Sequence, residues 1–75
     1  MPKTNVNMTQ SKLRRFSDYV RGELRRRHEP QDRLADYLNM SRSSLTLRLN
    51  GKIEWTLKDF FNTLEYFKAD INEII

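Results

Sequence analysis

The chain has 75 residues, no cysteine, one histidine and a net charge of +4, enough for one small core and no more. Its longest uninterrupted apolar run is two residues, which excludes a membrane-spanning helix. The absence of cysteine excludes a disulfide scaffold, a zinc finger and thiol catalysis.

Charge is uneven along the chain. Residues 1–52 carry 12 Lys and Arg against 5 Asp and Glu (+7), whereas residues 53–75 carry 2 against 5 (−3). A basic front and an acidic tail suggest a polyanionic partner for one face. Only Gly22 and Gly51 are available as glycines, so there is no glycine-rich phosphate loop. No basic start followed by an apolar stretch marks a secretory signal.

Residues 1–9 show no periodicity and read as a flexible N-terminal arm, with one domain expected over 10–75. Thr9 is a candidate N-cap. Leu13, Phe16, Val20 and Leu24 then recur at three- and four-residue spacing, the pattern of one helix face. This first helix is expected over about 10–28, ended by Pro30 because the residue before proline is pushed out of the helical region. Pro30 opens a second helix over 30–38, with Leu34, Ala35 and Leu38 inward. Asn39, which tolerates the left-handed conformation, ends it.

Ser41 caps a third helix over 42–49, and Met40 and Leu45 can staple its start. Asn50-Gly51 signals a turn. Thr56 caps a fourth helix over 57–68, with Trp55 and Phe60 as staple and Asp59 in the place of the capping-box acid. Leu57, Phe60, Phe61, Leu64 and Phe67 are expected inward. Asp70 caps a fifth, short helix. No strand alternation occurs, so the fold class is all-α with five helices.

Segment 31–50 carries the functional argument. Its two helices are separated by Asn39-Met40-Ser41, and so short a link forces packed helices to cross steeply, the geometry of a helix-turn-helix. Ala35 sits where the two come closest. Leu34, Leu38, Met40 and Leu45 supply the apolar contacts.

The stretch QDRLADYLNMSRSSLTLRLNGK resembles the helix-turn-helix of the Cro/repressor-type (XRE-like) DNA-binding family, which reads Gln-x-x-Leu-Ala-x-x-Leu-Gly-x-Ser, a recognition helix and a glycine. WTLKDFFNTLEYFKADINEII is similar to that family's last two helices. The chain departs from the pattern in two places. Asn39 replaces the turn glycine, and Arg48 stands where many members have an apolar core residue, with Leu49 free to take over the packing role.

The resemblance implies a five-helix repressor-like domain whose third helix enters the major groove of double-stranded DNA with its N-terminal residues facing base edges. Arg42, Ser43, Ser44, Thr46 and Leu47 are then the base-contacting candidates. Arg42 suits a bidentate guanine contact, and Leu47 suits a thymine methyl or, alternatively, packing beside Leu45. Gln31, Arg33, Arg48, Asn50 and Lys52 are the phosphate candidates. Phosphate contacts fix register and affinity without reading sequence.

Other charged groups have structural readings beside the functional one. Arg25, Arg26 and Arg27 suit DNA but also a solvated helix end, with Glu23 four residues before Arg27. Asp32 and Asp36 form a solvated edge. No nucleophile–base pair, metal cluster or cofactor site can be assembled, so the chain is not expected to be an enzyme. Ile71, Ile74 and Ile75 crowd the C-terminus, and an apolar patch there marks a dimerisation surface, formed by the fifth helix alone or by the fifth and fourth together. The expectation is a homodimeric, cytoplasmic, nucleoid-associated transcriptional regulator of the repressor kind, phage or bacterial in type, with no membrane and no small-molecule substrate. The alternative is a protein-binding module, antitoxin-like or inhibitory, working through the isoleucine-rich end.

Overall fold

A computed structural model describes the backbone of residues 2–73 and the side chains of residues 11–73. It is all-helical, with α1 (Pro2–Arg26), α2 (Gln31–Tyr37), α3 (Arg42–Leu49) and α4 (Leu57–Phe67), followed by one 3₁₀ turn at Ile71–Glu73. None of these helices is long and apolar enough to cross a membrane.

Two expectations about the elements need correction. α1 begins at Pro2 and not near residue 10, so the stretch expected as an arm is helical and Thr9 lies inside the helix. Proline suits the first helical position, and no proline or glycine interrupts the chain between there and Gly22. The fifth helix is only a three-residue turn. Asp70 accepts the Asn72 N–H on Oδ1 at 3.0 Å and the Glu73 N–H on its carbonyl at 2.9 Å, which closes a short i→i+3 turn. The intervening boundaries fall close to expectation. Ser41 Oγ accepts the Ser44 N–H, and Thr56 Oγ1 accepts the Asp59 N–H, both at 3.1 Å, so each hydroxyl satisfies an orphan donor of its helix.

All four helices end the same way. His28, Asn39, Gly51 and Lys68 have positive φ. In each case the following N–H reaches five residues back: Glu29 to Leu24, Met40 to Ala35, Lys52 to Leu47 and Ala69 to Leu64, each at 2.9 Å. This is the Schellman arrangement, which reverses the chain within two residues.

The core is formed by Phe16, Val20 and Leu24 of α1, Leu34, Ala35 and Leu38 at α2, Leu45 and Leu49 of α3, and Leu64 and Phe67 of α4. α3 packs on both α1 and α2, and α4 contacts α2. Phe16 meets Trp55 edge-on at 4.8 Å and Phe60 at 4.5 Å. Tyr19 meets Phe67 at 6.1 Å. The two buried hydroxyls are satisfied: Thr63 donates to the Asp59 carbonyl at 2.8 Å, and Ser17 accepts the Trp55 indole N–H at 3.4 Å.

Not all of α4's apolar positions turn inward. Leu57 is 71% exposed and Phe61 52%, contrary to the expected inward set. The buried arc of α4 centres on Thr63, Leu64 and Phe67. At about 100° per residue, Phe61 falls on its outer flank, whereas Leu57 is nearly in phase with Leu64 but two turns nearer the start of the helix, where no neighbour covers it.

Polar clamps close the helix ends. Arg27 donates to the Phe67 carbonyl at 3.1 Å and lies 4.8 Å from that ring's centroid, so it fastens the end of α1 to α4, while Arg25 and Arg26 beside it are exposed. Tyr66 donates its hydroxyl to Glu29 at 3.2 Å. Burial, then the Glu29 carboxylate, pushes the Tyr66 hydroxyl up from its usual pKa. Glu23 accepts from Arg26 at 2.6 Å and from Arg27 at 3.1 Å. The hydrogen bond from Arg26 is the main reason its carboxyl lies below the ordinary range.

Because the folded Glu23 carboxyl binds its proton less tightly than the unfolded one, its contribution is complete above the unfolded pKa. It fades as pH falls through the lower, folded value. Acid titration of the melting temperature should therefore show a decline below about pH 4.5 that Glu23→Gln flattens. His28→Gly should raise stability by about 0.5–1 kcal/mol, because the Cβ that crowds the left-handed region is removed. Gly51→Ala should lower it by about 1 kcal/mol. Each shift is readable as a few degrees in a thermal melt.

Candidate nucleic-acid interface

α3 is amphipathic over two turns. Leu45 and Leu49, four residues apart, are buried together, so Ser43 and Leu47 occupy the opposite side. Leu47 is 40% exposed, which decides between its two readings: it faces outward and is not packed beside Leu45. Ser43 and Asn50 are exposed and Thr46 is half-buried. The outward strip is thus Ser43, Thr46, Leu47 and Asn50, a set without charge that can hydrogen-bond and touch an apolar group.

The start of α2 meets this strip. Thr46 donates its hydroxyl to Gln31 Oε1 at 2.9 Å. Arg42 Nε lies 3.7 Å from Asp32 Oδ1, and both side chains are largely exposed. An exposed pair of this kind contributes little to stability, so Arg42 is held loosely and remains free to change partner. Gln31, Arg42 and Thr46, separated in sequence, are brought together. Arg33 and Lys52 are exposed; Arg33 is close enough to Tyr66 of α4 to act on its hydroxyl.

Two candidates are placed differently from expectation. Arg48 was expected at a phosphate, yet its side chain is mostly buried. Its Nε lies 3.7 Å from Asp59 Oδ2 of α4, and a guanidinium NH2 group donates to the Ser44 carbonyl at 3.3 Å. The geometry follows from helix phase: once Leu45 and Leu49 turn inward, residue 48 falls on the flank facing α4. Asp59 spends its carboxylate on that pair and not on a capping box. Ser44 shares the flank with Arg48 and is half-buried, so it is less open to a base than Ser43. As for the expected dimerisation residues, Ile71 is half-buried against the core, whereas Ile74 and Ile75 lie outside the described residues.

Arg21 escaped the sequence reading. From the middle of α1 it donates to the Leu49 carbonyl at 2.7 Å and to Asn50 Oδ1 at 2.6 Å, and it lies 3.6 Å from Asp18. A cation at the C-terminal end of α3 also suits the helix dipole. A cleft of about 710 Å³ opens beside this clamp, lined by Leu13, Arg14, Ser17, Arg21, Arg48 and Trp55 among others. Two of its three arginines are already engaged with α3 and α4. Comparison with family models, curated proteins and solved structures gives no match.

The Arg48–Asp59 pair makes α3 and α4 interdependent. Asp59→Ala leaves a mostly buried guanidinium without its counter-charge and should cost about 1–3 kcal/mol. The double variant Arg48→Met with Asp59→Leu should recover most of that loss. Denaturant unfolding of both variants checks the coupling.

Proposed function

We propose that the chain is a sequence-specific double-stranded DNA-binding protein, a transcriptional regulator of the repressor kind, that reads an operator in the major groove through α3. Such a regulator works at the cytoplasmic nucleoid. The observation that carries the reading is the outward strip of α3. It is uncharged and exposed at Ser43, Leu47 and Asn50, with the exposed Arg42 at the start of the same helix and Lys52 just past its end, while the opposite side of the same helix is buried in the core.

Base edges are read by short polar and apolar side chains, and phosphates by cations at the border. In this reading α2, α3 and the four-residue link 38–41 act as a helix-turn-helix. Gln31 serves both neighbours: its Oε1 positions Thr46, and its amide N–H groups are suited to a phosphate. Arg42 exchanges Asp32 for a guanine edge. Ser43, Thr46 and Leu47 contact bases, and Arg33, Asn50 and Lys52 contact backbone. Arg48 has no part in it, being committed to Asp59.

Selection of duplexes from a randomised pool, followed by fluorescence anisotropy across a salt series, tests the proposal. A defined sequence should be enriched and bound well above random DNA. Arg42→Ala should lower the specific-to-random ratio by about 1–3 kcal/mol. Lys52→Ala should weaken both equally and reduce the salt slope by about one. Asp32→Asn, which frees Arg42, should strengthen binding several-fold. Failure to enrich any sequence, with weak and purely salt-driven binding, contradicts the reading.

A further inference from the structure

Leu57 and Phe61 lie on consecutive turns of α4 and are the two most exposed large apolar side chains among the described residues, at 71% and 52%. They are four residues apart and share one face. Lys58, Glu65 and Lys68 surround them and are exposed. Water contact over two adjacent large apolar groups is unfavourable, and such a patch usually has a partner.

The charges around it specify which partner. Lys58 and Glu65 are seven residues apart, two turns, so they fall within about 20° of one another around the axis and roughly 10 Å apart along it. Phe61 lies almost midway between them. A second α4 laid antiparallel across Phe61, about a twofold axis, puts each Lys58 opposite the partner copy's Glu65. It also puts Phe61 against Phe61. The pattern is self-complementary: one patch satisfies both copies, as a twofold interface requires. Antiparallel packing also opposes the two helix dipoles favourably. A parallel arrangement would set like charges side by side.

We infer that the outer face of α4, centred on Phe61 and flanked by Lys58 and Glu65, is a homodimer interface in which two copies pack α4 antiparallel. The interface is assigned to α4; of the isoleucine-rich end, Ile71 is half-buried against its own core. The inference stands on α4 alone and is independent of the DNA reading.

Sedimentation of the full chain over a wide concentration range, without DNA, tests it. The wild type should form a dimer whose population rises with concentration. Phe61→Ser should weaken association by at least about tenfold, as loss of a central apolar anchor does. Lys58→Glu alone and Glu65→Lys alone each turn two attractive pairs into two repulsive ones and should weaken it several-fold. The double reversal Lys58→Glu with Glu65→Lys should restore it. Circular dichroism checks that each variant keeps its helices, which exposed positions allow. A chain that stays monomeric throughout overturns the inference and leaves the face to a different protein. So does a dimer indifferent to Phe61→Ser or to the single reversals, or one that the double reversal fails to rescue.

Discussion

The burial of Leu45 and Leu49 governs the rotation of α3, and the rest of the molecule follows from that rotation. The two leucines meet a surface formed by Phe16, Val20 and Leu24 of α1 with Leu34, Ala35 and Leu38 at α2. Loss of either would forfeit several kcal/mol of burial and packing, roughly 2–5 for a leucine truncated to alanine. With them inward, Ser43 and Leu47 must face out and Arg48 must face α4. A one-residue change in this phase would bury Arg48 in the core and turn Leu49 to water.

Rotation alone does not hold an eight-residue helix, which is too short to be stable by itself. Contacts at both ends do that. Ser41 caps the start. Arg21 and the positive-φ Gly51 close the finish. Gln31 ties the middle to α2, and Arg48 ties the flank to Asp59. α4 is fastened in turn by Arg27 at Phe67 and by Tyr66 at Glu29. A small core is thus supplemented by long polar side chains spanning from one helix end to the next, which suits a chain with so many arginines.

Much of this was legible because the decisive residues act locally. Ser41 and Thr56 mark helix starts through hydrogen bonds only three residues long, and Asn39 and Gly51 mark ends through a backbone conformation open to few residue types. His28 and Lys68 adopt that same conformation without belonging to those types, so composition could not announce them. Residues 2–8 lack apolar periodicity, which speaks to burial and not to whether the backbone is helical. In α4, five apolar positions span an arc wider than one neighbour can cover. Only the placement of α1 and α2 decides that Phe60, Leu64 and Phe67 are covered while Leu57 and Phe61 are not. Arg21 and Arg48 meet partners 28 and 11 positions away (Leu49 and Asp59), distances over which no local pattern reports.

In the proposed complex, nucleic acid meets Ser43, Thr46 and Leu47 of α3 and Asn50 at its end. The most direct test is a backbone amide NMR titration of the ¹⁵N-labelled chain with an enriched duplex, beside a scrambled duplex of equal length. The largest changes unique to the enriched duplex should fall on these residues and on Arg42. Arg33 and Lys52 should shift with both duplexes, and the outer face of α4 should stay still. Changes concentrated on Leu57 and Phe61, or no difference between the duplexes along α3, would contradict this placement.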